Sequence, residues 1–301
     1  MQSFSMFAFT DKSGKTGSRD GRGHSRRMRM FRMGSRTLAA TIVAGSLVAT
    51  AAGPASASTA TGKLPKALAV FAHCPVSDAA VFLCLSGSMG GSFTVGSQTL
   101  TTPSPATLTM GLAEGPSGIY AVSPTDGTPA LQSPPITVTI EGLPPLPGAL
   151  SITATPELIG TPTVSLVNLL TETGTAVGLN LDVAINNTLL GSGCTIGSTS
   201  DPISVNLTTG TTSPPPPNQP ITGSRGTTST STKTNVTTNT GAELVDNAFS
   251  VPGTSGCGPF GILDPVLNDI EGLPSAAGNN AAVFSGSTYL VPASIIRKHL
   301  G

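Results

Sequence analysis

Ser88 and His73 are two residues whose types and surroundings could support hydrolytic chemistry. Ser88 lies in SGSMGGS (Ser86–Ser92), which resembles the nucleophile-elbow pattern Gly-x-Ser-x-Gly but has Ser86 in place of the first glycine. A serine nucleophile also needs a base oriented by a third group, and His73 with Asp78 would complete such a triad. Because no motif connects these residues, an extracellular hydrolase using Ser88 and His73 is the alternative hypothesis, and we assign no catalytic residue.

Paired carboxylates are the second hydrolytic chemistry that the sequence could supply, because glycosidases place two of them around the bond they cleave. The glutamates available beyond residue 57 are Glu114, Glu141, Glu157, Glu172, Glu243 and Glu271. No spacing selects a pair, and both Glu141 and Glu271 lie in an EGLP sequence that is typical of a turn or a helix end. A hydrolase with a carboxylate pair is therefore part of the same alternative hypothesis.

Metal and cofactor sites are not expected from the sequence. Beyond residue 57 the histidines are His73 and His299, and neither a Cys-x-x-Cys nor a His-x-x-x-His spacing occurs. Zinc sites in proteins need several such ligands close together. A glycine-rich phosphate loop is absent as well. We therefore predict a protein that holds neither a metal nor a cofactor.

The four cysteines, Cys74, Cys84, Cys194 and Cys257, are expected to form two disulfides. An even number of cysteines in an exported chain is typical of disulfide bonding, since the extracellular space is oxidising. Three pairings are possible, and the most economical is Cys74–Cys84 with Cys194–Cys257, which keeps each bond within one half of the chain. The second bond would close a loop of about 60 residues and contribute roughly 4 kcal/mol on the chain-entropy model.

The N-terminal region has the three parts of a secretory signal peptide. A basic stretch (Arg26–Arg36) precedes an apolar run (Thr37–Thr50), and Ala55-Ser56-Ala57 supplies the small residues of a cleavage site. We predict cleavage between Ala57 and Ser58, which removes residues 1–57 as an N-terminal extension plus Sec signal. The apolar run falls short of the ~20 residues of a membrane span, so we expect a secreted chain without an integral membrane segment. The translation start is left open among Met1, Met28, Met30 and Met33.

The charge of the chain changes once the signal segment is removed. The full chain has 15 Lys and Arg against 15 Asp and Glu, but nine of the basic and two of the acidic residues precede Ser58. The remaining chain has six basic and thirteen acidic residues, which gives a net charge of −7. An acidic surface with scattered cations does not suit nucleic acid or anionic lipid, so we exclude both as partners.

Alternation of apolar and polar residues recurs along residues 58–301 and predicts an all-β fold, mainly an antiparallel sandwich or barrel-like. The apolar positions that share a face are Ile136, Val138 and Ile140 in ITVTI, Leu179, Leu181, Val183 and Ile185 in GLNLDVAIN, and Ile203, Val205 and Leu207 in ISVNLTT. One short helix is predicted near residues 265–271, with Asp264 as its cap, Pro265 at its first position and Gly272 at its left-handed C′ position.

We predict one disulfide-stabilised β domain over residues 58–301, with two sub-modules at about 58–148 and 149–301 left open. Phe93–Gly111 and Cys194–Gly210 share a rhythm of Thr, Gly and Ser that would fit such a duplication. A Pro/Thr-rich loop is predicted at 211–241, because this stretch contains four consecutive prolines and the Cys194–Cys257 bond would span it. A hairpin is predicted to turn near Ser285–Ser287.

Three longer segments are distinctive: CTIGSTSDPISVNLTTGTTSPPPPNQPITG, VDNAFSVPGTSGCGP and LPSAAGNNAAVFSGSTYL. They resemble segments that recur in a group of actinobacterial secreted proteins of unknown function. The resemblance covers most of residues 58–301, and it implies export and a Pro-rich stretch that belongs to the domain. Since that group has no known activity, the resemblance implies no role for any residue.

The leading hypothesis is a non-enzymatic secreted β-protein. It is either a structural component of the extracellular space or the cell envelope, or a binder of a small apolar ligand. The shortage of aromatic residues, with no Trp, argues against a sugar-binding platform. Sheets lined by Val, Leu and Ile can enclose a lipid-like molecule. A closed apolar cavity would favour binding, whereas a cleft with Ser88 within reach of His73 would favour hydrolysis.

Overall fold

The strands of this chain form two antiparallel sheets in a computed structural model, which describes residues 63–96, 98–115, 118–138 and 151–300. The predicted signal segment with its cleavage site at Ala57 and Ser58 lies outside the described residues, as do Ile140 and Glu141. The strands are β1 (Val81–Val95), β2 (Gln98–Thr101), β3 (Ala106–Gly115), β4 (Gly118–Val122), β5 (Leu131–Gln132), β6 (Ile136–Val138), β7 (Ile152–Leu158), β8 (Thr163–Val164), β9 (Val177–Asn186), β10 (Thr195–Ile196), β11 (Ile203–Leu207), β12 (Thr227–Thr230), β13 (Thr237–Asp246), β14 (Thr254–Ser255) and β15 (Ala281–Pro292). The helices are α1 (Leu166–Thr171), α2 (Asp264–Glu271) and α3 (Ala293–Leu300), with short 3-10 helices at Lys66–Phe71 and Pro259–Gly261.

The two sheets draw their strands from different parts of the chain. The eight-stranded sheet has the order β12-β13-β15-β1-β3-β4, with β2 paired to β1 and β5 paired to β3. The seven-stranded sheet has the order β14-β10-β9-β7-β6, with β8 and β11 paired to β9. The central pair of the larger sheet, β1 with β15, joins strands from the two ends of residues 58–301. The sub-modules considered at about 58–148 and 149–301 therefore do not correspond to the two sheets.

The sheets pack face to face, and their inner faces form the main apolar core. This core combines Leu244 and Ala282 of the eight-stranded sheet with Leu181 and Ile203 of the seven-stranded sheet. The alternation along β9 and β11 predicted which side chains face inward. Those side chains all border the space between the sheets: Leu179, Leu181, Val183, Ile185, Ile203, Val205 and Leu207. The all-β prediction is confirmed, in its sandwich form.

The first 3-10 helix and α3 pack together against one end of the β1–β15 pair. Their buried side chains, among them Phe71 and Ile296, join the Cys74–Cys84 disulfide in a second apolar cluster. The guanidinium of Arg297 donates to the backbone carbonyls of Val76, Asp78 and Val81, each at 2.8 Å. Both chain ends of the described domain are thus fastened to the same strand pair.

The helix prediction near 265–271 is confirmed as α2, which ends at Gly272 in the left-handed conformation (φ 66°). The predicted capping role of Asp264 is wrong, because no side chain caps this helix and Asp264 is its first residue. Two further α-helices were not predicted. α1 has only six residues, which is too short to show a helical period, although its cap Ser165 accepts from the backbone N–H of Asn168.

Two turn and loop predictions need correction. The predicted loop at 211–241 contains β12 and the start of β13, whose threonines pair directly across the strands. Thr230 and Thr237, for example, join their hydroxyls at 2.9 Å. The predicted turn near Ser285–Ser287 is wrong as well, since β15 runs without interruption through Gly286. A Cβ at Gly286 would collide with the backbone carbonyl of Ser88, so this glycine permits a close approach of two strands and not a turn.

Candidate functional site

An apolar cavity of about 230 Å³ lies between the two sheets. Strand β1 lines it from Leu85 to Val95, and β9 lines it from Val177 to Ile185. Ten residues of an extended strand cover roughly 33 Å, so the space is elongated along the strands. Its lining is mostly aliphatic, with Phe93 and Phe284 as aromatic members and few polar atoms, as expected where the buried faces of two sheets meet. The lining of this space is therefore complementary to hydrophobic groups.

Gly87 contributes to the volume of this cavity. It lies between Leu85 and Met89 on the inner face of β1, where all three residues line the space. A Cβ placed on Gly87 would approach no atom closer than 3.9 Å, so a side chain is absent here although there is room for one. SGSMGGS, which suggested a nucleophile elbow, is therefore the middle of a central strand.

Helix α2 lines one end of the cavity with Leu267 and Glu271, which lie one turn apart on the same face. The carboxylate of Asp264 accepts hydrogen bonds from the backbone N–H groups of Gly256, at 3.2 Å, and Cys257, at 2.8 Å. The disulfide between Cys257 and Cys194 then connects this segment to the start of β10. The predicted Cys194–Cys257 bond thus helps to position the helix that carries Glu271.

The turn between β1 and β2 meets α2 at the same end of the cavity. A Cβ on Gly96 in this turn would lie 3.8 Å from the backbone oxygen of Glu271. Asn280, which is fully buried, accepts a hydrogen bond from the Gly96 N–H at 3.1 Å. Its amide donates to the carbonyls of Phe249, at 2.9 Å, and Ala276, at 3.1 Å. Because Gln98 lies two residues after Gly96 and lines the cavity, it shares this end with Glu271.

Glu271 is the one ionisable side chain among the described residues that line the cavity. Burial in the apolar surroundings raises the pKa of the Glu271 carboxyl. The side chains of Glu271 and Gln98 are both half-buried, and neither forms a hydrogen bond with another described residue. This end of the cavity therefore presents one acceptor-only group and one amide that both lack a protein partner.

The residues of the hydrolase hypothesis are not brought together. His73 contacts Asp126, with 2.7 Å between its Nδ1 and the carboxylate, and Thr128 at 3.1 Å. The hydrogen bond from His73 lowers the pKa of Asp126 to about 2. Asp78 accepts from the backbone N–H of Ala80. Ser88 lies opposite Ser287 in the centre of the sheet and does not line the cavity. Within the described residues no hydrogen bond joins Ser88, His73 and Asp78.

The other candidate groups are dispersed over the structure. Of the five glutamates that the structure describes, Glu271 lines the cavity, and Glu114, Glu157, Glu172 and Glu243 do not. Among the described residues no three His, Cys, Asp or Glu side chains are grouped to hold a metal ion. In the same part of the chain no helix has the length and hydropathy needed to cross a membrane. The cavity is therefore the site on which a function can be argued.

Comparisons with protein-family models, with curated proteins and with solved structures found no match to this chain. Sequence reasoning assigned the inward-facing strand residues but missed Gly87, Gln98 and Glu271 as parts of a site. A signal for Glu271 was present, since it follows Leu267 at helical spacing in DPVLNDIEGLP. The EGLP sequence that contains Glu271 also predicted a helix end, and α2 does end at Glu271.

Proposed function

We propose that this chain is a secreted, non-enzymatic β-sandwich that binds a small apolar ligand between its sheets. The observation that carries the proposal is the apolar cavity of about 230 Å³. Export is part of the proposal and is supported by the two disulfides, because such bonds persist in oxidising compartments. A protein released outside the cell would meet hydrophobic molecules that water dissolves poorly, and the cavity would keep them in solution.

An unfilled cavity of this size destabilises a folded protein considerably. At about 24 cal/mol per Å³, the value for a fully enclosed cavity, it costs at most on the order of 5 kcal/mol. The whole free energy of unfolding of a domain is commonly only about 5–15 kcal/mol. A larger side chain at Gly87 would remove part of this cost, because the position has room for one. A purely structural protein would gain from that change, so the retained cavity supports ligand binding over a structural role.

The volume indicates the size of the ligand. An engineered apolar cavity of about 150 Å³ holds benzene, so a space half as large again suits roughly nine or ten heavy atoms. Its elongation along the strands favours a chain over a compact ring system. At about 0.8 kcal/mol per buried CH₂, nine carbons give about 7 kcal/mol, which corresponds to a Kd near 10 μM.

Isothermal titration calorimetry with 1-methoxyoctane tests the proposal. This linear ether has the estimated size and carries neither a charge nor a hydrogen-bond donor. We expect saturable binding of one molecule per chain, and loss of binding in Ala154→Leu, which enlarges a lining side chain in the cluster that Leu267 of α2 packs against. Ala106→Leu, on the cavity lining of β3, serves as a second filling variant.

The matched control is Thr101→Leu, which adds a similar side chain at an exposed position of β2 that does not line the cavity. It should bind 1-methoxyoctane as the unchanged protein does. Absence of saturable binding in a folded protein, or full binding in both filling variants, would contradict the proposal. Parallel assays of Ser88→Ala and His73→Ala with ester and glycoside substrates test the hydrolase alternative, which requires an activity that these changes abolish.

A further inference from the structure

We propose that the α2 end of the cavity recognises a hydroxyl head group, so that the bound molecule is an alkyl alcohol held by Glu271 and Gln98. This inference rests on the proposed binding function and specifies its ligand class. It assigns the two side chains a joint role as the polar end of an otherwise apolar site. The chain of the alcohol would extend between the sheets, along β1 and β9.

The polar residues around the cavity fall into two groups. Thr102 bonds to the backbone of Gly91, Thr254 bonds to Asn268, and Ser133 donates to the carbonyl of Pro134 at 3.4 Å, so these three are satisfied within the protein. Glu271 and Gln98 have no such partners among the described residues. A polar group in apolar surroundings is costly unless it is hydrogen-bonded. Glu271 and Gln98 are half-buried, so water reaches part of each side chain, and a ligand hydroxyl that covers this end of the cavity would take the place of that water as their partner.

The side-chain hydroxyl of Thr288 is also without a hydrogen bond among the described residues, but Thr288 lies elsewhere in the cavity lining. It is opposite Gly87 on the central strand pair, nine residues along β1 from the Gly96 turn. Nine residues of strand correspond to roughly 30 Å. The polar end at α2 is therefore spatially distinct from the single hydroxyl near the middle of the strands, and only this end combines an acceptor with an amide.

The chemistry of the two groups selects the head of the ligand. An ionised Glu271 only accepts hydrogen bonds, whereas the Gln98 amide both donates and accepts. A hydroxyl can donate to the Glu271 carboxylate and accept from the Gln98 amide at the same time. The carboxylate of a fatty acid has no proton to donate and is repelled by Glu271. An ether accepts from Gln98 but leaves Glu271 without a donor.

The inference is tested by calorimetry with three linear probes of matched length at pH 8: 1-nonanol, its isomer 1-methoxyoctane and nonanoate. We expect 1-nonanol to bind about tenfold more tightly than 1-methoxyoctane, and nonanoate to bind more weakly than either. Glu271→Leu should weaken 1-nonanol binding about tenfold while 1-methoxyoctane binds at least as well as before. Glu271→Gln, which keeps an acceptor oxygen, should retain most of the preference for 1-nonanol and should improve the binding of nonanoate.

The control variant is Glu157→Leu, which removes an exposed carboxylate from β7 that does not line the cavity. It should leave the order of the three probes unchanged. If 1-methoxyoctane binds but 1-nonanol gains nothing over it, or if Glu271→Leu leaves the preference intact, the head-group assignment is wrong and the proposed function stands. If no probe binds to the folded protein, the proposed function itself fails.

Discussion

The side-chain oxygen of Asn280 accepts a hydrogen bond from the backbone N–H of Gly96, a residue 184 positions earlier in the sequence. This bond fastens the β1–β2 turn to the segment that follows α2. The same side chain donates to the carbonyls of Phe249, Ser275 and Ala276. One fully buried amide therefore holds three separate chain segments around the polar end of the cavity.

Asn280→Asp should strongly destabilise the protein, although the two side chains have nearly the same shape. The change removes the N–H donors of three carbonyls, of which those of Phe249 and Ser275 are buried, and places a carboxyl among them. An unsatisfied buried group costs about 1–3 kcal/mol, so we expect a loss of at least about 3 kcal/mol. Urea unfolding followed by circular dichroism measures the loss. The exposed neighbour in Asn279→Asp is the control, and an equal effect of both changes would refute the role of Asn280.

Gly87→Leu should stabilise the ligand-free protein. A leucine side chain fills part of the cavity, and replacing a glycine inside a strand restricts the unfolded chain. With about 24 cal/mol recovered per Å³ of cavity, filling roughly 100 Å³ corresponds to about 2 kcal/mol. Urea unfolding in the absence of ligand measures the gain.

The comparison for this prediction is Gly286→Ala on the neighbouring strand. A Cβ there would collide with the backbone of Ser88, so this smaller change should destabilise the protein. A stability loss in Gly87→Leu would mean that the cavity cannot accept a side chain from β1. Stabilisation would show that the glycine is retained at a cost in stability, as expected of a cavity that is kept open for a ligand.

Local patterns identified the strands but not the space between them. Alternation along β9 and β11 depends on neighbours in sequence, and it correctly assigned the faces of Leu179, Leu181 and Val205. The distance between the sheets depends on how side chains such as Leu244 of one sheet pack against Leu181 of the other, which no local pattern reveals. Gly87 is an example. Its role depends on the empty volume beside it, and the SGSMGGS motif that contains it does not reveal that volume.

The Thr-rich segment shows how composition can mislead. Its polarity predicted a loop, yet Thr227–Thr230 forms an edge strand whose side chains are exposed. Threonine favours extended backbone because of its branched Cβ, and its hydroxyl pairs across strands, as between Thr230 and Thr237 at 2.9 Å. A strand at the sheet edge needs no apolar face when its partner strand is already anchored.

Glu271→Gln should raise the stability of the protein more at pH 7.5 than at pH 4. Burial raises the pKa of Glu271 above its ordinary value of 4.5, so the folded state binds the proton more readily than the unfolded state. Stability contributed by this group is therefore present at low pH and is lost as the pH rises through the folded-state pKa. The neutral amide of the variant avoids that loss.

Other carboxyls also titrate, but they are the same in both proteins and their contributions cancel in the difference. Burial raises the pKa of Asp246, which acts with the same sign as Glu271. The hydrogen bond from His73 lowers the pKa of Asp126 to about 2, so its stabilisation is lost as the pH falls. Urea unfolding of both proteins between pH 4 and pH 8 gives the difference. A difference that does not change with pH would show that Glu271 is well solvated.

The two disulfides should differ in what their removal changes. On the chain-entropy model the pair Cys194–Cys257, with a sequence separation of 63, stabilises the fold by about 4 kcal/mol. The pair Cys74–Cys84, with a separation of 10, stabilises it by about 3 kcal/mol. Double replacement by alanine, followed by urea unfolding, measures both losses in the same background.

The two disulfides should differ more in their effect on ligand binding than in their effect on the free energy of unfolding. Cys257 is held by the Asp264 carboxylate at the start of α2, and its disulfide packs against Leu267 on the cavity side of that helix. The Cys74–Cys84 bond instead belongs to the cluster formed with α3. Under conditions where both double variants are folded, removing Cys194–Cys257 should weaken 1-nonanol binding, whereas removing Cys74–Cys84 should leave its Kd unchanged. Equal weakening in both variants would mean that the first bond does not position the helix that carries Glu271.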